Sequence, residues 1–197
     1  MTNRRSFLKK ASFATAPFFL PSHIWAAKGE ASPNNRINIA IIGPGKMGRT
    51  HAHKLIRNPR AQITGFAEIA DIRTKHTKDL IEKHYSQNTP GDKWKGLKIT
   101  NDYLELLEDK SLDAVLIATP DHWHGEATIR AARAKKHVYC EKPISLTIKE
   151  GRAMAQAVKE NNVVFQTGSQ QRSEYGGKFR RTVEMVRSGA IGELKKI

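Results

Sequence analysis

Ile37-Asn38-Ile39-Ala40-Ile41-Ile42 runs without a break into Gly43-Pro44-Gly45-Lys46-Met47-Gly48. The first half reads as a buried strand, and Lys46 to Ile56 is compatible with a helix. Three glycines in a loop are by themselves only a turn. Between a strand and a helix, the spacing G-x-G-x-x-G has a chemical use. A backbone without side chains lets a pyrophosphate approach, and the free N–H groups and positive dipole end of the following helix face its charge. Gly43, Gly45 and Gly48, with Lys46 and Met47 between them, are the first candidate cofactor-binding residues.

Further along, the helix ends near Asn58-Pro59, and a second strand, Ala61 to Ala67, delivers Glu68 about 20 residues past the last glycine. A carboxylate there holds the adenosine ribose hydroxyls of a dinucleotide and repels a 2′-phosphate, which favours NAD. Arg73 and Lys75 keep NADP open, and Asp71 is a rival ribose ligand that reads more readily as a cap of the next helix, from Ile72 to His84. A loop with Pro90, Gly91 and Trp94 follows, then a short strand at Leu97 to Ile99 and a helix at Tyr103 to Leu107 capped by Asn101 or Asp102. Leu112 to Ala118 is nearly continuous in apolar residues, as a strand covered on both faces must be, and ends in Thr119-Pro120-Asp121-His122-Trp123-His124. A helix at Glu126 to Ala134 leads to the strand His137 to Cys140 and then to Glu141-Lys142-Pro143. Thr147 and Glu150 form a capping box for a helix reaching about Asn161, and Val163 to Phe165 is a sixth strand. Strands and helices alternate throughout, so the fold class is α/β, a doubly wound parallel sheet whose ligands lie beyond the carboxyl ends of its strands.

The formal charge of +15 would by itself point to nucleic acid. Arg4, Arg5, Lys9 and Lys10, however, have no acidic counterpart before Glu30, and the other basic residues are scattered over helix faces without aromatic interleaving. No nucleic-acid partner is expected. Cys140 is the single cysteine, which excludes an intrachain disulfide, and its apolar run suits a buried residue. The histidines show no metal-ligand spacing, and no metal is expected.

The opening residues read as an address. Asn3-Arg4-Arg5-Ser6-Phe7-Leu8-Lys9-Lys10 precedes a short apolar run from Ala11 to Leu20 and small residues at Ala26-Ala27, and resembles a bacterial twin-arginine export signal. That route implies an exported or periplasmic protein, with the twin-arginine translocase as a partner. It carries folded proteins, so a nucleotide cofactor can be loaded before export.

Three signals stand in order: Gly43 to Gly48, Ala118 to His124, and Glu141-Lys142-Pro143. Together, over about Arg36 to Ile197, they resemble the glucose-fructose oxidoreductase and inositol dehydrogenase family (Gfo/Idh/MocA). The resemblance implies a Rossmann domain with NAD and a carbohydrate substrate. It places Thr119, Pro120, Asp121 and His124 along the nicotinamide side of the cofactor, and Lys142 between nicotinamide ribose and substrate hydroxyl. Lys142 and His124 are thus the candidate catalytic residues, with Glu141 positioning Lys142 or a ribose hydroxyl and Arg172 at the substrate entrance. A lysine fixed between a buried strand and a proline, beside a positively polarised nicotinamide, is also where a desolvated amine would exchange a proton. His124, beside Trp123, either lines the site or only packs.

The expected organisation is a signal and linker at 1–33, a dinucleotide-binding domain at 34–168, and the beginning of a substrate and oligomerisation domain at 169–197, incomplete at Ile197. The expected activity is hydride transfer on a sugar, polyol or sugar derivative with a tightly held cofactor, in a full-length protein that is a homo-oligomer. Two alternatives stay open: an NAD-assisted glycoside hydrolase of the same family, and a nucleotide-binding fragment without turnover.

Overall fold

The strand Ile37–Ile42 (β1) is buried over Ala40, Ile41 and Ile42, where both sides are covered. Ala40 and Ile42 face one helical layer; Ile41 faces the other. The computed structural model describes residues 35–87, 94, 96–172 and 175–196; the twin-arginine stretch, Pro90 and Gly91 lie outside them.

From β1 the chain passes through α1 (Lys46–Leu55), β2 (Ala61–Ala67), α2 (Asp71–Gln87), β3 (Lys98–Thr100), α3 (Tyr103–Leu107) and β4 (Ala114–Ile117). It continues through a 3-10 turn (Asp121–Trp123), α4 (His124–Arg133), β5 (His137–Glu141), α5 (Ile148–Asn161), β6 (Phe165–Gly168) and α6 (Lys178–Arg187). The six strands are all parallel, in the order β3-β2-β1-β4-β5-β6. Starting at β1, the order reverses direction at β4, which opens a crevice at the carboxyl ends of these two strands.

Apolar side chains of alternate residues build two cores. Ala40, Ile42, Val115, Ile117, Val138 and Cys140 pack with Leu106, Leu107, Ala127 and Ala131 from α3 and α4. On the opposite face Ile41, Ile63, Phe66 and Leu116 pack with Ala52 of α1, Ile56 just after it and Ile81 of α2. The helix α6 has no buried residue, and Phe179 and Val183 are exposed on it.

Register sets the site. Ile42 lies beside Ala67 and Ile117, and Ile117 beside Cys140, so β1, β2, β4 and β5 end level with one another. The residues that follow these ends, Gly43, Glu68, Thr119 and Lys142, therefore emerge along one edge.

Helix ends follow their sequence signals closely. Asp102 accepts the Leu104 N–H at the start of α3, and Thr147 accepts the Glu150 N–H at the start of α5. The reciprocal bond of the expected capping box falls one residue earlier: Glu150 Oε2 accepts from Leu146 N at 2.8 Å. Thr147→Ala is expected to cost about 1 kcal/mol, read from the denaturant midpoint.

Candidate dinucleotide site

The three glycines of the turn differ in what surrounds them. Gly43 has φ +77, and a Cβ there would lie 2.8 Å from Thr119 Cγ2 and 2.9 Å from Thr119 Cα, so this glycine lets the turns after β1 and β4 touch. A Cβ on Gly48 would lie 2.7 Å from Gly43 O, which fixes α1 closely against its own turn. At Gly45 a Cβ would meet nothing within 4 Å. The space beside Gly45 is open, at the N-terminus of a helix that has no side-chain cap and no acidic residue in its first turn. That combination fits a phosphate group: room for close approach, uncompensated N–H groups, and no carboxylate to repel it. Lys46 and Met47 are exposed at the same end.

Glu68 stands at the tip of β2. Its Oε1 accepts from Ile69 N and Ala70 N, each at 3.0 Å. These bonds orient the carboxylate at the entrance to α2, and the exposed Ile69 beside it offers an apolar surface to a planar ring. Asp71, read as a cap, is instead the first residue of α2 and is exposed.

The turns after β4 and β5 are joined by His124. Its ring is 1% exposed, with Nδ1 2.6 Å from Pro143 O and Nε2 2.9 Å from Thr119 O. His124 is thus a bridge between two backbones, and neither ring nitrogen is turned to solvent. Of the two sequence alternatives, lining the site or only packing, the buried ring stands nearer the second. Trp123, Asp121 and Pro120 are exposed on the edge beyond it.

Lys142 is exposed at the carboxyl end of β5, before a cis peptide to Pro143. The burial expected from its neighbours is not supplied: Glu141 is buried at 4% exposure, while the lysine next to it is not. The physical reason is position: β5 ends at Glu141, and Lys142 and Pro143 lie beyond the part of the sheet that is covered on both faces. Arg172 is exposed in the turn Gln170–Arg172 after β6, on the same edge of the sheet.

This edge is where dinucleotide enzymes of doubly wound topology hold their cofactor, and residues 37–169 match the model of an oxidoreductase family with an NAD-binding Rossmann fold. The chain belongs to the Gfo/Idh/MocA family. It is 31% identical over 159 residues to the myo-inositol 2-dehydrogenase of Thermotoga maritima, covering 80% of this chain and 42% of that protein. It is 30% identical over 162 residues to a scyllo-inositol 2-dehydrogenase (NAD(+)) of Bacillus subtilis, covering 81% and 42%. A crystal structure of scyllo-inositol dehydrogenase from Lactobacillus casei with bound NAD(H) and scyllo-inositol superposes with TM-score 0.65 at 25% identity, over 80% of this chain and 43% of that one. The chain therefore spans less than half the length of these Gfo/Idh/MocA relatives.

Two residues of the site have no role assigned from the sequence: His51, outside every motif, and Gln170, which opens the turn that carries Arg172. His51 Nε2 lies 2.6 Å from Glu141 Oε1, and Gln170 Nε2 donates to the same oxygen. His51 sits on the inward face of α1 with Gly48 and Ala52, a spacing that marks a buried position. A polar residue there was the available signal. An unpaired carboxylate at this depth would cost several kcal/mol, so Glu141 depends on these donors.

Cys140, next to Glu141, is fully buried, and burial, with the Glu141 charge adding, pushes its thiol up to about 11 from 9.0. The folded state keeps a proton that the unfolded chain releases first. This contribution to stability is complete below pH 9 and is lost as pH rises towards 11. Cys140→Ala is expected to flatten this alkaline loss by about 2 kcal/mol in denaturation midpoints measured across that window.

Proposed function

We propose that the protein carrying this chain is an NAD-dependent oxidoreductase acting on a sugar, polyol or sugar derivative. The observation that carries the proposal is the juxtaposition along one sheet edge of an open, uncapped glycine turn, which touches Thr119 at Gly43, and an exposed lysine, with His124 joining the Thr119 and Pro143 turns. Gly43 and Gly48 shape the turn, Gly45 leaves room for the pyrophosphate, and the first turn of α1 offers it N–H groups. Glu68 takes the adenosine ribose hydroxyls with its second carboxylate oxygen, and the charge favours NAD over NADP. Bound here, the nicotinamide supplies hydride exchange with a carbinol carbon. Lys142 holds and moves the proton of the substrate hydroxyl at Nζ, and His124 keeps the Thr119 and Pro143 turns at a fixed spacing. Arg172 stands at the substrate entrance.

The inositol dehydrogenases among the relatives support a polyol or sugar as substrate class. The Arg4-Arg5-Ser6-Phe7-Leu8-Lys9 stretch supports export in the folded state through the twin-arginine translocase, with the cofactor loaded beforehand. Outside the cytoplasm little free nicotinamide is available for exchange, so the cofactor is retained and the cycle is redox-neutral. The exposed apolar residues of α6 support burial against further parts of a homo-oligomer.

Mass spectrometry of the ligand released by denaturing the exported protein tests this. NAD or NADH is expected in near-stoichiometric amount, and addition of an accepted polyol is expected to convert the bound pool once, with no accumulation of free NADH. Absence of any dinucleotide, together with no nicotinamide absorbance change for any sugar or polyol, would overturn the proposal.

A further inference from the structure

The cluster under Lys142 joins three distant pieces of chain. His51 belongs to the helix that grows out of the glycine turn, Glu141 ends β5, and Gln170 follows β6. His51 and Glu141 are separated by 90 residues, His51 and Gln170 by 119, yet all three meet at one carboxylate oxygen. The ring nitrogen that faces a carboxylate is the one that carries hydrogen, so His51 Nε2–H donates to Glu141 Oε1. The other carboxylate oxygen lies 3.4 Å from the Lys142 backbone N–H. The close fit extends to β6: a Cβ on Gly168 would lie 2.9 Å from the Glu141 carboxylate, so only glycine leaves room for it. None of these contacts reaches the Lys142 side chain, so the cluster is not a proton path to Nζ. It holds backbone.

We propose that His51 is a positioning residue: through Glu141 it fixes the backbone of Lys142, so that the helix bearing the glycine turn and the turn bearing the lysine behave as one body. The phosphate end and the nicotinamide end of the site are then coupled through a buried contact that touches neither ligand. This rests on the oxidoreductase proposal above, in which Lys142 lies at the nicotinamide end.

The test separates the two ends of the cofactor. The 197-residue chain is titrated with NADH, followed by nicotinamide fluorescence, and with ADP-ribose, which keeps the phosphates and adenosine but lacks nicotinamide. His51→Leu is expected to weaken NADH about tenfold and ADP-ribose by no more than about twofold. His51→Gln keeps an N–H donor and is expected to restore NADH binding to within about threefold of the parent. In a Lys142→Met background, His51→Leu is expected to add less than about twofold, because its effect passes through the lysine.

Equal weakening of both ligands by His51→Leu would assign His51 to packing alone and overturn the proposal. So would unchanged NADH binding, or effects of His51→Leu and Lys142→Met that multiply. If His51→Leu does not fold, Glu141→Gln carries the same comparison: it keeps the shape, loses the charge, and is expected to weaken NADH selectively. A parent chain that binds neither NADH nor ADP-ribose would remove the dinucleotide site itself, a result distinct from any change among variants.

Discussion

Gly45→Val is expected to reduce NADH affinity at least about 100-fold while costing only about 1 kcal/mol of stability, the penalty of a poorer helix N-cap. The reasoning is steric and local. A Cβ at Gly45 meets no protein atom within 4 Å, so the fold has room for the side chain. That same room is the approach path of the pyrophosphate, and a branched side chain fills it. Gly48→Val is expected to behave in the opposite sense. Its Cβ would sit 2.7 Å from Gly43 O, a backbone atom that cannot swing aside. A loss of about 3 kcal/mol is expected in addition to the loss of binding. Denaturant midpoints and NADH titrations on the two variants separate these outcomes. Equal destabilisation by both substitutions would mean that the turn serves only the fold.

Lys142→Met in the intact oxidoreductase is expected to lower turnover by about 10² to 10⁴-fold, while NADH still binds within about tenfold of the parent. Lys142 is exposed in this structure, so its removal leaves no cavity and no orphaned partner. The expected effect falls on the step that handles the substrate hydroxyl proton, and is read as a fall in kcat at saturating substrate. Turnover within about threefold of the parent would transfer the proton to another group and leave Lys142 as an ordinary solvated strand-end lysine.

Much of this fold was legible in the sequence because the deciding forces are local or periodic. The run Ile37 to Ile42 is apolar at nearly every position, and both cores claim residues from it. The strand Ala61–Ala67 and the helix Tyr103–Leu107 fall where turn residues and caps place them. The last strand was displaced: Phe165–Gly168 pairs with β5, whereas the apolar residues Val163 and Val164 lie before it. Apolar character was the wrong guide there, since Val164 is 66% exposed at the sheet edge.

The site was legible only as a set of turns. Their placement on one edge follows from strand alternation, but the contacts that tie them together do not. His124 to Pro143 and His51 to Glu141 join residues with no common local pattern. Lys136 shows the same limit. It reads as a surface lysine, yet it is buried at 7% exposure because Nζ donates to the carbonyl oxygens of Asp109 and Leu112, which only the folded chain brings to it. The exposure of Lys142 belongs to this class as well: the sequence marks the residue, and its exposure depends on β5 ending at Glu141.

The central claim is that a dinucleotide lies along the carboxyl edge of the sheet with its pyrophosphate at Gly45. Equilibrium titration of the parent chain and of Gly45→Val with NADH tests it most directly. One site per chain is expected, lost in the variant although its unfolding remains cooperative. No binding by the parent up to millimolar NADH, or equal binding by both proteins, would contradict it.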